Sequence, residues 1–519
     1  MRQTREQKSR RRSSRLPTDD FDLGSLNPAQ CSAVLHDEGP LLVLAGAGSG
    51  KTRVIIYRIV RMIRDGVDPS RILGVTFTNK AAKEMRERLT TLGGRDAGAV
   101  TLSTFHSLGL RILKEEYEYV GLKKGFCIYD TSDQIGLIRE LMRKVKVADR
   151  RLDAMKVLET ILKTKKSRLR EVALDFCDDY EYAAYELYPR YIEEMRAFNA
   201  IDFDDLLIKA MDALQFAEVR ERWSRRYDYL LIDEYQDTSP EQLALIQVLA
   251  GERKNVCVVG DDDQSIYGWR GALVDNILSF GKQFRGAIEV VLDQNYRSTS
   301  NILDAANSVI QNNVKRKSKK LWSAGGAGEP LDIVTCTDAE DEANFVVEQI
   351  SKLAYDGESF ESVAVLYRSN TQSRLFEETL ALERIPFRVV GGQAFFDRKE
   401  VRDCMAYLSV LHNPKDEISL RRIINVPGRG IGAASLEKLS DYAQANKVGL
   451  FETLSIKEAV EEISPSAKKG IESFLDVMNP AMRQAKNLSA GQLGDFARGL
   501  FDELRLRDAV VAADDAPKV

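Results

Sequence analysis

Ala45-Gly-Ala-Gly-Ser-Gly-Lys-Thr52 is the stretch whose residue types and spacing are most plainly suited to chemistry. The small residues Ala45, Gly46, Ala47, Gly48, Ser49 and Gly50 let backbone N–H groups close around phosphate oxygens, and a helix starting near Lys51 adds its positive dipole end. Lys51 can reach β- and γ-phosphates, the Thr52 hydroxyl can enter the shell of a Mg²⁺ ion, and Arg53 beside them is counted among the nucleotide contacts. This is a Walker A loop with alanine at the usual first glycine. Leu230-Leu-Ile-Asp-Glu-Tyr-Gln-Asp237 supplies the complementary acids. Asp233, at the end of an apolar strand, would hold Mg²⁺, and Glu234 would polarise the attacking water. An acidic pair after a strand is usually a solvated loop; with the Walker loop upstream it reads as catalytic. These residues imply ATP and Mg²⁺ as cofactors and a P-loop ATPase, and nothing narrower.

The elements that must position them follow from the hydrophobic pattern. Leu41 to Ala45, Ile72 to Phe77, Tyr229 to Asp233 and Val256 to Gly260 read as strands separated by helical stretches. That alternation predicts a doubly wound parallel sheet with its site at the strands' carboxyl ends. Cys127 to Ala197 is helical and charge-rich and reads as an inserted helical subdomain. After Phe280 a second αβ series is expected, with strands at Glu289 to Asp293, Leu331 to Val334, Val363 to Tyr367 and Phe387 to Val390, and a flexible Gly/Ala loop at Ala324 to Gly328. From about Phe396 the pattern turns helical and stays so.

Composition narrows the class. A length of 519 residues suits three or four domains, and 44% hydrophobic with 30% charged residues is globular usage. No run of eighteen apolar residues offers a transmembrane helix, and no apolar stretch follows the basic start, so neither a membrane span nor a secretory signal is expected. Six scattered cysteines without a CxxC pair read as reduced thiols of a cytoplasmic protein. A net charge of −4 argues against coating nucleic acid through bulk positive charge, so any such contact must be a local cleft. Met1 to Arg15 carries seven Arg or Lys against one Glu. It reads as a disordered tail or a misplaced start codon, with a phosphate-binding arm as the alternative.

The remaining motifs resemble those of superfamily 1A DNA helicases, the UvrD/Rep/PcrA group. Leu26-Asn-Pro-Ala-Gln30 looks like the Q motif, in which Gln30 would read the adenine edge. Thr76-Phe-Thr-Asn-Lys-Ala-Ala-Lys-Glu-Met85 resembles motif Ia and Thr104-Phe-His-Ser107 motif Ib; Ile201-Asp-Phe-Asp-Asp-Leu206 resembles a further DNA-contacting segment. On this resemblance Phe77, Asn79, Phe105, His106 and Phe203 face one DNA strand, although core packing would be the ordinary reading of any single aromatic among them. Val258 to Ala272 resembles motif III almost throughout: Gln264 would sense the γ-phosphate, while Tyr267 and Trp269 stack on bases with Arg270 beside them. Leu292-Asp-Gln-Asn-Tyr-Arg-Ser298 resembles motif IV, with Tyr296 offered to the adenine and Arg297 acting across the cleft as an arginine finger. Phe395 to Asp403 and Arg421 to Gly432 resemble the segments leading into and through the 2B subdomain, and the Pro-Gly-Arg-Gly-Ile-Gly turn could present amides to a duplex phosphate.

The resemblance covers roughly Leu26 to Gly432. It implies a fold of two P-loop NTPase (RecA-like) parallel-sheet domains in tandem, each with a helical insertion and the second incomplete. The expected layout is a basic tail at 1–17, domain 1A over 18–126 with 198–280, insertion 1B at 127–197, the first part of 2A at 281–394, and part of 2B at 395–519. The function implied is ATP-driven 3′→5′ translocation on single-stranded DNA and at ss/ds junctions, in repair or replication restart. The family's motifs V and VI are not found, which leaves three expectations: a fragment of a longer helicase, a split motor completed by a second chain that supplies the rest of 2A, or a nucleotide- and DNA-binding module without turnover. A P-loop kinase would fit the Walker loop alone and leave motifs Ia, III and IV unexplained.

Overall fold

The computed structural model describes residues 21–145, 152–167, 178–390 and 399–508. The tail expected at 1–17 and the segment 395–398 lie outside them. The chain divides into two units, Met1–Pro330 and Leu331–Val519.

The first unit is built on β1 (Leu41–Ala45), β2 (Ile72–Thr76), β3 (Thr101–Thr104), β4 (Cys127–Ile128), β5 (Ala200–Ile201), β6 (Tyr229–Ile232), β7 (Val256–Gly260), β8 (Ile288–Leu292), β9 (Gln294–Asn295) and β10 (Trp322–Ser323). Six of them form one parallel sheet in the order β3-β2-β6-β7-β1-β8. Every residue of β1, β2 and β7 is buried, as expected of continuous apolar strands covered by helices on both faces. One face packs Leu42, Val75, Ile232 and Val258 against Phe105, Ile112 and Trp223; the other packs Leu41, Val43 and Val259 against Val54, Ile55 and Ile59.

Helix α1 (Pro28–Leu35) starts with a reciprocal Asn27–Gln30 capping box, and α2 (Lys51–Arg64) starts directly from the phosphate loop. Arg58 of α2 is buried, and its guanidinium donates to the carbonyls of Ala33 and His36, satisfying the open end of α1. That clamp holds Gln30 against the loop. Further along the chain come α3 (Asn79–Gly93) and α4 (Phe105–Glu116). Three helices follow, α5 (Thr131–Val145), α6 (Ala154–Ser167) and α7 (Asp179–Ala197), flanked by the short parallel pair β4/β5.

The second αβ series departs from expectation. The strand placed at Glu289 to Asp293 is β8, and it pairs along its length with β1 in the first sheet. The boundary expected at 280 therefore falls before a strand that belongs with β1; an apolar run shows that a strand forms but not which neighbour it joins. Leu331 to Val334, Val363 to Tyr367 and Phe387 to Val390 join no ladder. A parallel strand is stabilised by neighbours and by burial on both faces, whereas Ile333, Leu366 and Val390 are exposed. Around them Ala339–Tyr355 and Ser373–Leu382 pack through Val347, Ile350 and Leu380. The described residues 399–508 are mainly helical, with a core of Tyr407, Leu420, Ile423, Leu439 and Phe474. The Gly/Ala loop is tied down, since Gly326 and Ala327 carbonyls accept from Ser300 and Asn301.

Candidate functional site

The phosphate loop crosses from β1 to α2 at the carboxyl end of the sheet, where an anion meets a helix N-terminus. Gly48 (φ +67°) and Gly50 (φ +88°) occupy the left-handed region, and a Cβ on Gly50 would stand 2.8 Å from Gln30 Nε2. Side chains are thus excluded at both positions by the backbone conformation and by the neighbours. Gln30 Nε2 donates to Ser49 O at 2.8 Å, while its Oε1 accepts the Asn27 N–H at 3.1 Å. In this arrangement the Gln30 amide is spent on the loop and its own helix cap, so it braces the phosphate loop.

β6 delivers the acids. Lys51 Nζ lies 3.3 Å from Glu234 Oε2. Glu234 holds φ +50°, a left-handed conformation unusual for a non-glycine residue and costing on the order of 1–3 kcal/mol. Burial, then the Glu234 charge, push the Asp233 carboxyl up to about 7, with Lys51 opposing them. Burial and Glu234 likewise raise Asp237 to about 6, and Asp237 Oδ1 is buried without a hydrogen-bond partner. A crowd of carboxylates with one ammonium and an orphaned acceptor is a donor set that would gain from a hard cation, so these residues fit Mg²⁺.

A stability consequence follows. The Asp233 carboxyl titrates at about 7 in the folded chain against an ordinary 3.8, so folding favours its protonated form. Its contribution is fully present below the ordinary value and is lost as pH rises through about 7. Asp233→Asn should therefore melt above wild type at pH 8, by roughly 1–2 °C per kcal/mol relieved for a unit of this size, in metal-free buffer. The gap should narrow to less than half at pH 5 and close only below the ordinary carboxylate value of 3.8. Thermal melts that show no pH-dependent gap would place the Asp233 charge in a better-solvated setting than the one described.

Gln236 lies within the acidic motif, and its residue type alone assigns it no role. Its Nε2 donates to Glu234 Oε2 at 2.8 Å, and its Oε1 accepts the Asp261 N–H at 2.9 Å. Through it the β6 acids reach the turn after β7, where Gln264 Nε2 donates to Asp261 Oδ2 at 2.6 Å. Asn295 was likewise missed. Its Nδ2 donates to the Ala47 carbonyl at 2.6 Å, and the Tyr296 N–H donates to Gly48 O at 2.9 Å. Tyr296 and Arg297 consequently sit beside the phosphate loop on the segment that follows β8. The Tyr296 hydroxyl accepts from Asn27 at 2.9 Å, which brings it to the start of the Gln30 helix. Arg53 Nη2 donates to the Ser25 hydroxyl at 2.7 Å and its guanidinium lies over the Tyr57 ring. Thr52 lies in the first turn of α2, half-buried.

An aromatic face lies at the same end of the sheet. Phe77 and Tyr267 stack with centroids 4.8 Å apart, Trp269 lies 6.3 Å from Tyr267, and Arg270 covers Trp269 at 4.6 Å. Trp269 is 75% exposed, so the face is open to a ligand. A second pair, His106 and Phe203, stacks at 4.2 Å with Phe203 exposed. The turn that carries Phe203 is pinned from within, because buried Lys165 of α6 lies 2.6 Å from Asp202 and 2.8 Å from Asp205. Asn79 is exposed near Thr104 and Ser107. Phe105 departs from expectation: it is buried in the core beneath the sheet, because the first residue of α4 turns inward while His106 turns out. In the second unit Arg429 also turns inward, donating to the carbonyls of Ile423, Ile424 and Val426 and to the Tyr407 hydroxyl. Asn425 takes the Arg429 and Ile431 N–H groups, so those two amides of the expected phosphate-binding turn are committed within the protein.

A parallel sheet of this order, with a phosphate loop after β1 and an acidic pair after β6, defines a P-loop nucleoside triphosphatase fold. The profile of the UvrD/REP helicase N-terminal domain matches residues 26–285, that of the UvrD-like helicase C-terminal domain matches residues 290–485, and the chain belongs to the UvrD/Rep helicase family. It is 40% identical over 479 residues to the ATP-dependent DNA helicase PcrA of Staphylococcus epidermidis, covering 91% of this chain and 65% of that protein. Identity to the protein of the same name from Staphylococcus aureus is 39% over 481 residues, again 91% of this chain and 65% of that one. The chain thus spans about 65% of the length of these curated relatives. No helix among the described residues is long and apolar enough to cross a membrane.

Proposed function

We propose that this chain carries the nucleotide site and the single-strand grip of an ATP-dependent DNA helicase that steps 3′→5′ and serves DNA repair or replication restart in the cytoplasm. The observation that carries this reading is the unbroken set of contacts from Lys51 through Glu234, Gln236 and Asp261 to Gln264, three residues before the exposed aromatic face. Such a link is what a translocase needs, since nucleotide state must alter the hold on the strand.

In the proposed mechanism the N–H groups of Gly46 to Lys51 and the α2 dipole bind the phosphates, and Lys51 exchanges its Glu234 partner for the β- and γ-oxygens. Mg²⁺, when bound by Thr52 and Asp233, would neutralise phosphate charge and orient the terminal group. Glu234, freed from Lys51, orients the attacking water and accepts its proton. Gln264 and Arg297 meet the γ-phosphate, and Tyr296 closes on the adenine while Gln30 braces the phosphate loop from behind. Phe77, Tyr267 and Trp269 stack on bases with Arg270, while Asn79, His106 and Phe203 extend the track. The direction of stepping is tested by displacement of streptavidin from end-biotinylated oligonucleotides. Faster displacement from the 5′ end is expected, because a 3′→5′ motor runs toward it. Faster displacement from the 3′ end would reverse the assignment.

A further inference from the structure

Asp261, Asp262 and Asp263 converge until one carboxylate oxygen from each lies within 4.8 Å of the others, a spacing that would suit a divalent cation. The cation among them is a side chain of the same unit. Lys319 Nζ stands 2.9 Å from Asp261 Oδ1 and 2.7 Å from Asp263 Oδ2 and also pairs with Asp262. Arg316 closes on Asp263 with two N–H···O bonds of 2.8 Å, and the Lys317 N–H donates to Asp262 Oδ2 at 2.6 Å. Burial works against the Lys319 charge, but Asp261 and its two neighbours outweigh it, and the ammonium is held above its ordinary range.

The position of this clamp matters more than its charge. On one side Asp261 holds Gln264 through Oδ2 and Gln236 through its N–H, and Gln236 holds Glu234. On the other, two residues beyond Lys319, Leu321 lies over the phosphate loop so closely that a Cβ on Gly46 would stand 2.1 Å from its Cδ2. Trp322 and Ser323 then pair with Gln294 and Asn295, and Asn295 holds the Ala47 carbonyl. The segment 316–323 is therefore fastened at one end to the turn that leads into Tyr267 and Trp269, and at the other to the loop that would hold phosphate.

We propose that Lys319 is a positioning residue: with Arg316 it holds the Asp261–Gln264 turn in register with the phosphate loop, so that nucleotide state reaches the aromatic face through this turn. The inference rests on the reading of the site as an ATP-dependent DNA motor. Lys319→Met alone would leave buried carboxylates uncompensated and could unfold the chain. The test variant is therefore Lys319→Met with Asp262→Asn, which removes one charge of each sign and leaves Asp261 and Gln264 in place.

The readout is the dissociation constant for a fluorescent single-stranded oligonucleotide, with and without a non-hydrolysable ATP analogue and Mg²⁺, which needs no turnover. Wild type is expected to show a ratio of about fivefold or more between the two conditions. In the paired variant the ratio should collapse toward one, while melting temperature and nucleotide-free DNA affinity stay near wild type, a pattern that general damage would not give. A wild-type ratio in the folded variant overturns the role of Lys319 and leaves the motor reading intact. If wild type itself shows no ratio, the motor reading fails and the inference with it. Should the paired variant not fold, Arg316→Gln carries the test. It loosens the same turn from its half-buried rim and should lower the ratio; a ratio equal to wild type overturns the proposal.

Discussion

Lys51→Ala should reduce ATP turnover in the presence of single-stranded DNA by roughly 10²–10³-fold, the usual loss when one preorganised donor to a developing charge is removed. The ammonium is mostly buried and 3.3 Å from Glu234. It is the cation that opposes the rise of both Asp233 and Asp237. Its removal strips the phosphates of their reaching donor and leaves the three neighbouring acids without a counter-charge. Asp233 and Asp237 would then take up protons at still higher pH, weakening the hold on a metal as well. Phosphate release is the measurement. Turnover within a few-fold of wild type would move hydrolysis to another site or another protein in the preparation.

The second large effect concerns grip. Trp269→Ala should weaken single-strand binding by about 5–150-fold, since base–aromatic stacking contributes roughly 1–3 kcal/mol. Trp269 is exposed, with the Arg270 guanidinium over its ring at 4.6 Å and the Tyr267 ring tilted 6.3 Å away, so its loss should cost the fold little. Nucleotide affinity should hold, because the links that run to the phosphate loop pass through Asp261 and Gln236, not through the indole. Fluorescence anisotropy with a labelled oligonucleotide measures the first quantity and a labelled nucleotide the second. Unchanged DNA affinity would remove Trp269 from the platform.

Much of the first unit was legible in sequence because its signals are local. β1, β2, β6 and β7 fall within a residue of their expected bounds, since fully buried parallel strands are written as apolar runs. Between β4 and β5 the described elements are the three helices α5, α6 and α7, whose charge-rich, helix-period pattern is equally local. What failed was pairing and facing. The run at 289–293 announces a strand, yet whether it opens a new sheet or edges the old one depends on β1, more than two hundred residues upstream. Phe105 and His106 are neighbours, and only the start of α4 decides which of them meets the core. The segments at 331–334, 363–367 and 387–390 have strand composition, but a ladder requires partners that composition does not specify.

The site shows the same division. The Walker residues and their acids converge as their spacing implies, because strand–loop–helix geometry fixes them. Tyr296 and Arg297 lie beside the phosphate loop on the segment following β8, a position that could not be foreseen once β8 had been assigned elsewhere. Lys319 was invisible, since Lys315 to Lys320 reads as a solvated basic run, and only the fold reveals that one of its ammonium groups is sealed among three carboxylates.

The central claim is that phosphate chemistry at Lys51 and Glu234 is coupled to a single strand held at Trp269. The most direct test is steady-state ATP hydrolysis by the purified chain with and without single-stranded DNA, with Glu234→Gln as control. Turnover that rises with DNA and vanishes in Glu234→Gln is the result this account predicts. Nucleotide binding with no turnover, or turnover indifferent to DNA, would contradict it.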